Sequence, residues 1–248
     1  MLLDTFTYLL IPALLFIPWG ILYMLKKDIR KKMLKTSVMG GLAGCIAEYW
    51  YFKDYWHPPT VLGQASICPE DFLFGFTITG LSVAVYESVF AVKVLKTGKN
   101  RKRLFGKLFL AGVAAMIVFS IVLHVNSIVV SNGCFLVFSA VMITLRPDLF
   151  KQAVLSGFLM LCIVIPIYAV LFDVINPIYW DKYWLLAKTS LGITVLGHIP
   201  VTELCWYFSW GCMAGISHSF ASGNVSVSKK SKIVVQPQGE YINVEVIL

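Results

Sequence analysis

Seven apolar stretches run along this chain, separated by short polar connections. They fall near 2–25, 33–52, 71–95, 104–124, 126–145, 149–172 and 201–221. Each approaches the ~20 residues that an α-helix needs to cross the hydrocarbon core of a bilayer. Lysine and arginine gather after the first, third and fifth stretches, as Lys26, Lys27, Arg30, Lys31 and Lys32, then Lys99, Arg101, Lys102 and Arg103, then Arg146 and Lys151. Lys229 and Lys230 add a fourth basic group in the tail, whereas the connections after the second and sixth stretches are acidic or aromatic. Basic loops stay on the cytoplasmic side of a membrane, and all four groups share one side only if the number of spans is odd. The pattern predicts an all-α, multi-pass protein of the cell membrane. It has seven transmembrane helices, its N-terminus outside and its C-terminus cytoplasmic.

Composition agrees. The 248 residues are 58% hydrophobic and 14% charged, where a soluble domain carries roughly 25% charged residues. The first stretch has no basic residue ahead of it, carries Asp4 and lacks a small-residue cleavage site, so it is expected to be a retained helix rather than a signal peptide. The net charge of +8 sits in the loops, which speaks for membrane orientation and against nucleic acid. Six cysteines lie scattered without a Cys-x-x-Cys pair or a His/Cys cluster; neither a disulfide framework nor a metal site is expected. Gly40, Gly41 and Gly44 lie in an apolar run and read as close helix packing rather than a dinucleotide loop. No cofactor is implied.

An internal repeat organises the chain. Val61-Leu62-Gly63 and Val195-Leu196-Gly197 each precede a proline and an acidic box, Pro69-Glu70-Asp71 and Pro200-Val201-Thr202-Glu203. Each lies downstream of an aromatic-acidic patch, Asp54-Tyr55-Trp56 and Asp181-Lys182-Tyr183-Trp184. Self-similarity of this kind speaks for the whole architecture. The expected division is a three-helix repeat at 1–97, a linking helix at 98–125, a second three-helix repeat at 126–222 and a polar, mostly mobile cytoplasmic tail at 223–248. The linking helix lets both repeats point the same way and puts both boxes on the non-cytoplasmic side. Parallel repeats pack about an axis along the membrane normal, with the working site between the halves.

Carboxyls at a helix start can simply complement the helix dipole; their recurrence points to chemistry. A carboxyl in an apolar pocket loses solvation of its charged form and can remain protonated near neutrality. Held against aromatic walls, such an acid can protonate an alkene, and aromatic faces stabilise the cation that results. Phe72, Phe74 and Phe76 follow the first box, and Trp206, Tyr207 and Trp210 follow the second. On a helix 72 and 76 share a face, as do 203, 206, 207 and 210.

The boxes resemble those of the integral-membrane lycopene cyclases of heterodimeric or fused type, found in certain bacteria and archaea and as the cyclase part of fungal fusion enzymes. That family carries, once per half, a Pro-x-Glu-Glu box followed by Phe-Leu-Phe. Glu70-Asp71-Phe72-Leu73-Phe74 is similar to one copy, and Pro200-Val201-Thr202-Glu203 to the other. The chain departs from the pattern at Cys68 and Pro69, where the proline stands one place late. It departs again at Thr202, in place of a glutamate, and at Leu204-Cys205-Trp206. The resemblance spans about residues 1–221. It implies ring closure without redox: a protonated carboxyl attacks a terminal double bond, the cation closes a six-membered ring, and a base removes a proton. It implies Glu70, Asp71 and Glu203 as catalytic residues, and Glu48, Trp56, Phe72, Phe74, Phe76, Trp184, Trp206, Tyr207 and Trp210 as substrate-binding. The implied partners are a polyisoprenoid such as lycopene and the lipid bilayer, with a homo-oligomer left open. Other seven-helix classes fit less well. A retinal photoreceptor needs a lysine in its last helix, and residues 201–221 hold none. A transporter would use the paired acids for protons or cations.

Overall fold

The computed structural model describes residues 2–63, 67–90, 92–96, 99–228, 232–235 and 242–245. Its α-helices are α1 (Leu2–Leu25), α2 (Arg30–Asp54), α3 (Pro69–Val89), α4 (Lys102–Ile117), α5 (Ser127–Leu145), α6 (Phe150–Ala169), the short α7 (Tyr179–Tyr183) and α8 (Val201–Ser222). π-helical turns at Val118–Val122 and Val170–Ile175 prolong α4 and α6. Among the described residues, five segments are long and apolar enough to cross a membrane: Leu3–Leu25, Pro69–Val89, Lys102–Val122, Ser127–Leu145 and Pro147–Ile175. The two other expected spans, α2 and α8, are as long but less apolar. The first opens on Arg30, Lys31, Lys32 and Lys35, and the second is rich in Trp, Tyr, Ser and Gly.

Around an apolar core the bundle also presents an apolar exterior. Ile17, Leu110 and Val137 are 57%, 68% and 64% exposed, while Thr77, Ser82, Ser131, Ser156 and Gln152 are buried. An apolar exterior suits lipid, and some interior polar groups bond internally, as where Gln152 donates to the Gly215 carbonyl at 2.8 Å.

The helices sort by direction. At one end Tyr8 in α1 reaches Asp71 at the start of α3, and Asp54 at the end of α2 accepts from the Ser127 N–H opening α5 at 3.0 Å. Tyr168 near the end of α6 meets Glu203 at the start of α8. The opposite end is basic. There Lys32 pairs with Glu87 at 2.6 Å, Lys26 donates to the Ser88 carbonyl at 2.9 Å, and Arg146 donates to the Ser219 carbonyl at 3.1 Å. So α1, α3, α5 and α8 start at the acidic, aromatic end, and α2 and α6 finish there.

Two expectations are corrected at the basic end. The third span, expected to reach residue 95, stops at Val89, and Val92–Lys96 forms β1 instead. It pairs antiparallel with β2 (Asn224–Ser228), Val94 opposite Ser226, so the tail expected to be mostly mobile begins as a strand. Both segments are rich in valine, and β-branched side chains favour extended backbone where no helical neighbour competes. Lys232–Val235 (β3) and Ile242–Glu245 (β4) form a further antiparallel pair. Lys229 and Lys230, expected to mark the cytoplasmic side, lie outside the described residues, as does the stretch 64–66 after the first Val-Leu-Gly.

Candidate active site

At the acidic end, Trp56 and Trp184 face each other in a β-bridge. The His57 N–H donates to the Tyr183 carbonyl and the Leu185 N–H to the Tyr55 carbonyl, both at 2.9 Å. Beyond this bridge each Val-Leu-Gly turns on a left-handed glycine, Gly63 with φ 91° and Gly197 with φ 92°, a conformation glycine adopts without steric cost. A carboxylate holds each turn. Glu70 Oε1 accepts from the Val61 N–H at 2.7 Å, and Asp173 Oδ1 accepts from the His198 N–H at 2.9 Å.

From these turns α3 and α8 start in the same register. Cys68 and Pro200 are their N-cap residues, both in extended conformation. Glu70 and Thr202 are therefore second in their helices, and Asp71 and Glu203 third. The two acids differ in what holds them. Asp71 closes a capping box, its Oδ2 accepting from the Cys68 N–H at 2.7 Å, and its Oδ1 accepts from Tyr8 Oη at 2.6 Å. Glu203 accepts from Tyr55 Oη at 2.7 Å and Tyr168 Oη at 3.1 Å. Tyr168 in turn shares a 2.7 Å hydrogen bond with Tyr207.

Glu203 faces a cavity, and Tyr8, Tyr55 and Tyr168 line it with Glu203. Ile11, Ile128, Phe74 and Trp56 supply apolar surface, and Tyr51, Trp206 and Glu48 complete the lining. The aromatic wall is layered. Trp206 stacks on Trp210 at 5.6 Å with planes 6° apart, Phe74 lies 5.8 Å from Trp206, and Trp56 meets Tyr8 edge-on at 4.7 Å. The Trp206 indole N–H donates to Tyr51 Oη at 2.7 Å, which fixes that ring. Glu48 is 7% exposed; its neighbour is the Trp56 side chain, and its Oε1 is buried without a hydrogen-bond partner.

Glu48 reaches the cavity because α2 and α3 nearly touch. A Cβ on Gly44 would stand 2.6 Å from the Asp71 carbonyl oxygen, and one on Gly41 would meet the Phe72 ring at 2.6 Å. Small residues bring the two backbones together, and Glu48 lies one turn beyond Gly44.

The expected site residues therefore divide. Glu48, Trp56, Phe74, Trp206 and Glu203 line the cavity. Asp71 and Tyr207 bond to lining tyrosines, Trp210 backs Trp206, and Trp184 bridges to Trp56. Glu70 is fully buried with its Oε1 on the first turn, and it is not among the lining residues. Phe72 covers Gly41, and Phe76 joins Trp19 and Phe16 at 5.0 Å and 6.3 Å in another aromatic group. Asp54 caps α5, and His198 pairs with Asp173 at 3.0 Å. Sequence reasoning did not assign Tyr8, Tyr51, Tyr55 and Tyr168 to the site. For Tyr8, Tyr51 and Tyr168 the signal was a phenol inside an apolar stretch, whose hydroxyl needs a partner once buried.

Residues 126–221 match the family model described as lycopene cyclase. Over this segment the chain is similar to the lycopene cyclase family. The segment takes in α5 to α8, and so contributes Ile128, Tyr168, Glu203 and Trp206 to the cavity. Tyr8, Glu48 and Asp71 stand in the part of the chain outside the match. Its long apolar helices, together with this match, mark the chain as a membrane protein. No match was found among curated proteins or among solved structures. Among the described residues, no group of three or more His, Cys, Asp and Glu is placed to hold a metal ion, and all six cysteines are unpaired.

Proposed function

We propose that this chain closes terminal rings on an acyclic carotenoid such as lycopene, by proton-initiated cyclisation without net redox. It would do so in a bilayer that it crosses seven times, as two parallel three-helix units joined by α4. The observation that carries the reading is Glu203: a carboxyl at the wall of an aromatic-lined apolar cavity, within the segment that matches the family. The matched helix register of Asp71 and Glu203, the paired turns and the shared helix directions support the two-unit arrangement.

In this reading protonated Glu203 donates to the terminal double bond of the end group. The tertiary cation is captured by the neighbouring double bond, closing the ring. Trp206, Phe74 and Trp56 offer π-faces to the cation and no competing nucleophile. Asp71 acts on the cavity through Tyr8, and Glu70 holds the turn that sets the start of α3.

Expression in a host that accumulates lycopene tests this, with pigments resolved by chromatography. Monocyclic or bicyclic carotenoid is the expected result; unchanged lycopene, with the protein present in the membrane, rejects it. Tyr8→Phe removes a donor from the Asp71 carboxylate, a hydrogen bond of the charged class that contributes about 1.5–3 kcal/mol. Ring formation in isolated membranes is expected to fall roughly tenfold. Undiminished rates would remove Asp71 from the mechanism.

A further inference from the structure

We propose that Glu48 is the base that removes the ring proton and so decides where the ring double bond lies. This rests on the cyclase reading above. The cavity holds two carboxyls, on opposed helices: Glu203 on α8 and Glu48 on α2. Their hydrogen bonding differs. Both Glu203 oxygens accept from tyrosines, and both Asp71 oxygens are taken by Tyr8 and the Cys68 N–H. Glu48 keeps one buried oxygen, Oε1, with no protein partner. The unsatisfied oxygen of Glu70 lies outside the cavity lining. A buried carboxyl oxygen without a partner is costly, and such an orphan calls for an explanation. A proton leaving the substrate supplies one.

The bookkeeping of bonds closes. The O–H bond of Glu203 breaks as a C–H bond forms on the terminal alkene. The neighbouring double bond then forms the ring C–C bond and leaves a cation on the ring. A C–H bond beside that cation breaks, its electron pair becomes the ring double bond, and its proton goes to Glu48 Oε1. Turnover leaves the proton on Glu48 and Glu203 ionised. Transfer back across the shared cavity restores the starting state with no proton consumed. Two or more carbons beside the ring cation can lose a proton, so the position of the base selects the ring isomer. Trp56 lines the same cavity as Glu48.

Glu48→Gln and Glu48→Asp, expressed with lycopene, test the assignment. The expected result for Glu48→Gln is a loss of ring formation of about a hundredfold, the range for removing a general base, with unchanged protein in the membrane. Glu48→Asp, which draws the carboxylate back by one methylene, should cyclise more slowly and shift the ratio of ring double-bond isomers. Wild-type turnover in Glu48→Gln overturns the proposal, as does slower turnover in Glu48→Asp with an unaltered isomer ratio. Where Glu48→Gln fails to insert, the isomer ratio of Glu48→Asp decides. Absence of rings from the unmodified chain overturns the cyclase reading and this inference with it, whereas rings from the unmodified chain and from Glu48→Gln alike overturn only the inference.

Discussion

Glu203→Gln is expected to stop ring closure, lowering it by about 10³-fold, within the range that general acids contribute. The substitution is nearly isosteric and its amide oxygen can still accept from Tyr55, so the fold should persist. What disappears is the acidic proton. The test is pigment yield in a lycopene-accumulating host, with membrane content measured alongside. Retained activity would show that the proton comes from elsewhere, Asp71 being the next group to replace. Leaving Glu203 in place and replacing Tyr168 by Phe would then report whether the tyrosine pair orients the acid.

Gly75→Val should have the second large effect, on assembly first and activity as a consequence. A Cβ on Gly75 would stand 3.0 Å from the Gly40 carbonyl carbon and 3.1 Å from Gly44 Cα, and closer still to the Gly40 oxygen. These are backbone atoms, which cannot swing aside as a flexible side chain does. Overpacking of this kind costs about 1–3 kcal/mol, and more where the backbone must shift. Parting α2 from α3 would also carry Glu48 away from Asp71 and Glu203. A lowered melting temperature in detergent and loss of ring formation are the expected results. Gly112→Ala on α4, where a Cβ meets nothing within 4 Å, is the matched control and should be silent. Equal behaviour of the two variants would show that the α2–α3 contact is looser than the geometry implies.

Much of the architecture was legible because lipid imposes a coarse rule. A spanning helix must satisfy its own backbone, so long apolar runs and basic loops reveal helix positions without reference to neighbours. The limits of that rule show at α2 and α8. α8 is largely packed among its partners, and both helices carry polar and small residues that a hydropathy scale marks down. Local register was also readable: each Val-Leu-Gly precedes a helix start, and Asp71 and Glu203 both stand third in the helices that follow. The strand at Val92–Lys96 was not legible, since its partner lies more than a hundred residues away.

For the site, the amino-acid sequence by itself determined the chemical inventory. It named the acids Glu70, Asp71 and Glu203, the aromatic runs beside them, and the segment 126–221 that a family model recognises. Only the tertiary structure decided which of these groups share a space. Glu70 and Asp71 are adjacent in sequence, yet one holds the Val61 turn and the other meets Tyr8. Glu48 and Glu203 are far apart in sequence, yet both line one cavity. The physical reason is that helix starts are set by local capping and turn geometry. Which side chains converge is set by helix crossings, and those depend on non-local contacts such as Gly44 against Asp71; the glycine pattern marks a close approach but not its partner.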